Sequence, residues 1–63
     1  MDLDIAKELK RYRTSHGLSQ RSLAKFLEVR EHTIYMWEKG QIPNKRNRRN
    51  IIMKLRLNFN LEI

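Results

Sequence analysis

Residues 18–40, LSQRSLAKFLEVREHTIYMWEKG, hold two short helical patterns separated by a break, and this pairing restricts what the chain can become. Leu23, Ala24 and Leu27 fall at i, i+1 and i+4, the inward face of one helix, and Ile34 and Trp37 fall at i and i+3 on the next. Between them Glu28-Val29-Arg30 leaves room only for a tight turn. Helices this short do not bury an apolar stripe alone, so they must pack across each other. One face of the second helix is then left pointing outward.

With 63 residues the chain, 1–63, has the length of one domain. A domain of that size buries only about 60% of its unfolded surface, so a bound partner would add useful stability. The absence of Cys rules out a disulfide framework and thiolate metal sites, and it suits a reducing cytosol. Met1-Asp2-Leu3-Asp4 opens acidic and apolar runs stop at stretches such as Ile51-Ile52-Met53, a pattern that argues against a secretory signal or a membrane span and for a cytoplasmic protein. Two isolated His and no paired carboxylates leave no constellation for catalysis. No metal, cofactor or small-molecule ligand is expected.

Taken in order, Asp2 or Asp4 can cap a first helix carrying Ile5, Leu9 and Tyr12 inward, and Gly17 offers the left-handed position that ends it, with Leu18 as the apolar residue beyond. His16, in its last turn, suits the helix dipole or water and is given no ligand role. Ser19 is a good N-cap for the second helix. The free N–H groups there and the Gln20 side chain can receive a phosphate, or simply be solvated. Phe26 lies off the buried face and either covers the edge of the core or meets another chain.

The third helix is predicted over Glu31 to Lys39, with Glu31, His32, Tyr35, Met36 and Lys39 outward or lateral. His32 can donate or accept at a base edge, Glu31 can accept from a cytosine amine, and Met36 can touch a thymine methyl. Tyr35 and Met36 can instead pack against the first or fourth helix. Gly40 and Pro43 then enforce a loop, and Asn44 can cap a fourth helix with Ile51, Ile52 and Leu55 inward.

The net charge of +7 and pI near 10.4 point to an anionic polymer as partner. Residues 1–40 carry eight Lys/Arg against six Asp/Glu, whereas residues 41–63 carry six against one, so the excess lies after the two-helix unit. Lys45, Arg46, Arg48 and Arg49 crowd the first turns of the fourth helix, where cations oppose the helix dipole. A phosphate backbone would explain why the sequence accepts that penalty. Beyond it, Leu55 to Ile63 alternates apolar and polar as a strand does, which a second subunit's copy would have to pair. Alternatively, Asn58 caps a short fifth helix whose Phe59 and Leu61 close the core.

Leu18-Ser19-Gln20, Leu23-Ala24, Leu27, Val29, Ile34, Trp37-Glu38-Lys39-Gly40 and Pro43 together resemble the helix-turn-helix of the lambdoid phage repressor and Cro family, the XRE-type regulators. The resemblance implies an all-α fold, a compact four- to five-helix bundle of lambda-repressor type, with the helix at about 31–39 in the DNA major groove. It places Gln20 on phosphate and Glu31, His32 and Met36 at base-facing positions. It also implies an ion pair between Arg13 and Glu38 that aims Arg13 at the backbone. The chain departs from the family at Glu28, where the turn usually has Gly, and at Arg30, where the third helix usually has a Ser or Thr cap.

The expected function is a sequence-specific double-stranded DNA-binding transcriptional regulator of phage or bacterial repressor type, acting in a bacterial cell as a homodimer on a pseudo-palindrome. Base readout falls to Glu31, His32, Tyr35 and Met36. Backbone contact falls to Arg13, Gln20, Arg30, Lys39, Lys45, Arg46, Arg48 and Arg49, and dimer contact to Leu57, Phe59, Leu61 and Ile63. The other reading is a protein-interaction module, antitoxin-like or adaptor, built on the same bundle.

Overall fold

In a computed structural model the chain is described over residues 4–56, which form four helices: α1 (Ile5–Ser15), α2 (Gln20–Leu27), α3 (Glu31–Glu38) and α4 (Lys45–Leu55). There is no strand among the described residues. The dimer-contact candidates Leu57, Phe59, Leu61 and Ile63, and both alternatives for the tail, lie outside them, as does Asp2.

Three of the four helix starts follow from one side chain each. Asp4 accepts the N–H of Lys7 at 3.2 Å, Ser19 that of Ser22 at 3.0 Å, and Asn44 that of Asn47 at 2.8 Å. Each satisfies a donor that a helix cannot pair internally. Arg30 opens α3 with no side-chain cap bond, because a guanidinium has no acceptor to offer. At α1 the chain turns at Gly17, φ 64°, and the N–H groups of Leu18 and Gly17 return to the carbonyls of Arg13 and Thr14. The His16 ring N–H donates to the Tyr12 carbonyl at 2.9 Å, which adds a second partner for that terminus. Helix α3 stops at Glu38, one residue short of the sequence expectation, with Lys39 as its cap and Gly40 at φ 116° turning the chain away.

The turn between α2 and α3 resolves the departure at position 28. Glu28 takes the left-handed conformation itself, φ 61° and ψ 44°, and the N–H groups of Val29 and Glu28 close on the carbonyls of Ala24 and Lys25. A residue with a Cβ gives up roughly 1 kcal/mol to sit there. Val29, the residue after it, packs on the core as the apolar partner of such a turn.

These ends let four amphipathic faces meet. Ile5 and Leu9 of α1, Leu23, Ala24 and Leu27 of α2, Ile34 and Trp37 of α3, and Ile51 and Leu55 of α4 form one buried cluster, flanked by Tyr12, Leu18 and Val29. Each fully buried Leu or Ile contributes about 1.5–3 kcal/mol relative to exposure. Ile52, predicted inward, is half-buried at the margin of α4's inner face. Phe26 is 40% exposed and stacks on Tyr12 with ring centres 6.0 Å apart, so it covers the edge of the core.

Candidate nucleic-acid interface

Helix α3 is pinned by Ile34 and Trp37, and the same periodicity turns Glu31, His32, Tyr35 and Lys39 to solvent. Met36 is half-buried. Tyr35 is held between its neighbours one turn away on either side: the His32 ring lies 6.1 Å off, and the Lys39 ammonium 5.5 Å from its centre. Such a sandwich lays the phenol along the helix flank and fixes the direction of the Lys39 charge. Glu31, His32 and Tyr35 line a shallow groove together with Gln20. On the other side His32 and Met36 line a second groove with Ile42, Pro43 and Asn47. The candidate base-reading residues therefore form one continuous strip with His32 at its centre.

A polar assembly behind α3 ties Glu38 at its end to α1 and α2. Arg13 donates from Nε and Nη2 to the two Glu38 carboxylate oxygens at 2.7 and 2.9 Å, and from Nη1 to the Leu18 carbonyl at 3.4 Å. Gln20 donates its side-chain N–H to the same carboxylate at 3.3 Å. Burial pushes the Glu38 carboxyl upward, but the hydrogen bonds from Arg13 and Gln20 and the charges of Arg13 and Lys10 outweigh it, leaving Glu38 below the usual carboxylate range. The bond to Glu38 is also the main cause of Arg13's raised value; burial opposes it, and the charge of Glu38 adds to it. A guanidinium has five N–H groups, so Arg13 keeps donors beyond these three bonds while it is anchored. Gln20 likewise keeps its carbonyl and one amide hydrogen.

The basic run on α4 does not share a face. Arg46 and Arg49 line a groove with Leu27, Glu28 and Asn50, next to the turn. Arg48 is half-buried, has a partner, and lines a different groove with Asp4, Ile5 and Gly40. Lys45 is exposed at the start of the helix, and Arg30 is exposed at the start of α3. The turn and α4 are thus brought together at Arg46 and Arg49, whereas Arg48 stands apart.

Sequence reasoning missed three contributors. Lys10 acts electrostatically on Glu38. Asn50 and Lys54 reach from α4 to the end of α2, donating to the Leu27 and Phe26 carbonyls, each at 3.1 Å. Their i, i+4 spacing puts them on one side of α4, which was the available sign. Among the described residues no group of His, Cys, Asp and Glu could hold a metal ion, and no helix is long and apolar enough to cross a membrane.

An outward helix face rimmed by cations, joined by a tight turn to a helix whose capped start is aimed the same way, defines a helix-turn-helix DNA-binding module. A family model described as helix-turn-helix matches residues 9–51, and the chain belongs to that XRE-type family of DNA-binding transcription regulators, which is not a family of enzymes. The matched span runs from Leu9 in α1 to Ile51 in α4, so it includes all of α2 and α3 and part of the two outer helices. No curated protein and no solved structure matches the chain significantly.

Proposed function

We infer that this chain, acting as one domain, recognises a specific double-stranded DNA sequence by laying α3 in the major groove, as a homodimer on a pseudo-palindromic operator in a bacterial host. The observation that carries the reading is the strip of exposed Glu31, His32 and Tyr35, with half-buried Met36 beside it, opposite the buried Ile34 and Trp37. His32 offers a ring nitrogen to a purine edge, Glu31 accepts from a cytosine amine, and Met36 and the Tyr35 ring meet thymine methyls. None of the four is an Arg or Lys, so the charge needed for affinity comes from the rim. Arg30, Lys39, Lys45, Arg46 and Arg49 supply it directly, Arg13 while anchored to Glu38, and Arg48 from the far side of α4; Gln20, which is neutral, adds a hydrogen bond to the backbone. Half-sites lie one helical turn, about 34 Å, apart.

Selection of bound sequences from a random DNA pool, followed by titration across salt, tests this. The expected result is a symmetric motif bound at least ~10³-fold tighter than random DNA, with each neutralised phosphate adding about −0.9 to the log–log salt slope. His32→Ala and Met36→Ala should each lose about 1–3 kcal/mol at the positions they read. A flat salt slope, or no preference over random DNA, refutes the reading. The alternative, a protein-interaction module, would take Phe26 and the Leu57, Phe59, Leu61 and Ile63 series as its contacts; that series lies outside the described residues, and the exposed Phe26 ring stacks on Tyr12.

A further inference from the structure

The end of α2 carries four carbonyls that the helix itself cannot pair. Two are closed within the turn: Val29 donates to Ala24 at 2.9 Å and Glu28 to Lys25 at 3.1 Å. The other two are closed from α4, Leu27 by the Asn50 amide and Phe26 by the Lys54 ammonium, each at 3.1 Å. The Lys54 ammonium also lies 3.6 Å from the Glu28 carboxylate and 5.4 Å from the centre of the Phe26 ring. One lysine therefore touches the last turn of α2 at a backbone oxygen and a ring, and touches the very residue that is held at positive φ. Glu28 is where this chain leaves the low-strain solution of glycine, and the contacts from α4 meet it there.

We propose that Lys54 and Asn50 are positioning residues for DNA recognition: they hold the left-handed Glu28 turn, and through it the angle at which α3 leaves α2. The proposal rests on the reading that α3 reads DNA. Without the brace, the two carbonyls turn to water and the turn relaxes toward conformations a glutamate prefers. The strip Glu31–His32–Tyr35 then meets the groove at a shifted angle. Specific contacts suffer from such a shift, and diffuse backbone attraction hardly does.

Lys54→Met keeps most of the side-chain stem over Phe26 and removes only the ammonium. On the selected sequence its affinity should fall about tenfold while its salt slope stays that of the wild type, because the lysine points at protein. Its affinity for random DNA should change less than threefold. Lys54→Arg, which keeps a cation and donors, should retain specificity. Glu28→Gly makes the turn independent of the brace, so adding Lys54→Met to it should cost less than threefold. Equal losses on selected and random DNA, a salt slope lowered by about 0.9, or no rescue by Glu28→Gly would overturn the proposal. The same pair of substitutions read by thermal unfolding needs no DNA: non-additive losses support the brace and additive ones overturn it. A wild-type chain that prefers no sequence removes the DNA reading and with it the role in recognition, while the unfolding cycle still decides whether the brace holds the turn.

Discussion

Arg13→Ala should be among the most damaging polar substitutions in the chain, and the geometry sets how damaging. The pair is bidentate, at 2.7 and 2.9 Å, and the side chains of Arg13 and Glu38 are only 21% and 7% exposed. An exposed ion pair is worth at most about 1 kcal/mol, and orphaning one partner of a buried pair costs about 3–5 kcal/mol. Glu38 sits near the buried limit but keeps the Gln20 N–H at 3.3 Å, so the loss falls between, at about 2–3 kcal/mol. A chain of 63 residues has a net stability of roughly 3–9 kcal/mol. Removing one guanidinium therefore takes about a fifth of it or more, and Tm should drop by about 10–20 °C.

Thermal and urea unfolding followed by far-UV circular dichroism at neutral pH measures this directly. The decisive comparison is the double substitution Arg13→Met with Glu38→Met. If the cost of the single change is an uncompensated carboxylate, removing both charges leaves nothing orphaned, and the double variant should return close to wild-type stability. Gln20, itself neutral, then loses its carboxylate acceptor, which water can replace. A single-variant loss below about 1 kcal/mol would show that water reaches Glu38. A double variant as unstable as the sum of both singles would refute the desolvation account altogether.

Two further outcomes follow from the same core and its polar backing. Because Glu38 titrates below its ordinary range in the folded chain, its contribution is fully present above the unfolded value of about 4.3 and is lost as pH falls through the lower folded value. Unfolding measured from pH 6 downward should show an acid-side decline of stability that is shallower in Glu38→Gln. Leu9→Ala removes a side chain with no exposed surface from the α1 side of the core and should cost about 2–5 kcal/mol by urea denaturation, enough to leave a fraction of the chain unfolded at room temperature.

What could be read from the residues divides along local and non-local lines. The caps at Asp4, Ser19 and Asn44 follow from a side chain accepting an N–H three residues on, a geometry fixed by sequence spacing alone. The buried faces follow from helical period, and each buried core residue stands where that period puts it. The Glu28 turn was legible only as a departure from the Gly usual at that position. Its resolution depends on Asn50 and Lys54, which are distant in sequence and become neighbours only after α4 docks. The basic run on α4 misled in the opposite way. Four charges in five residues look like one patch, yet with Ile51 and Leu55 buried, Arg48 is carried toward Asp4 and Ile5 while Arg46 and Arg49 stay beside the turn. Nor could residue type show that the Gln20 amide serves Glu38, since an N-terminal glutamine is equally suited to water or phosphate.

Arg30 separates stability from function more sharply than any other position. It stands at the N-cap of α3 with extended backbone, φ −83° and ψ 152°, and leaves the side-chain cap bond unmade. Arg30→Ser keeps that backbone and supplies the missing acceptor, which should add about 1 kcal/mol and raise Tm by roughly 4–8 °C. If Arg30 instead serves a DNA phosphate, the same substitution should lower the magnitude of the log–log salt slope by about 0.9 and weaken selected and random DNA alike. The two effects carry opposite signs and are read by independent assays, unfolding without DNA and titration with it. A more stable protein that binds less well is the outcome that assigns Arg30 to the backbone. A more stable protein with an unchanged slope would remove Arg30 from the interface, and a less stable one would mean that its side chain supports the turn in a way the cap bond does not replace.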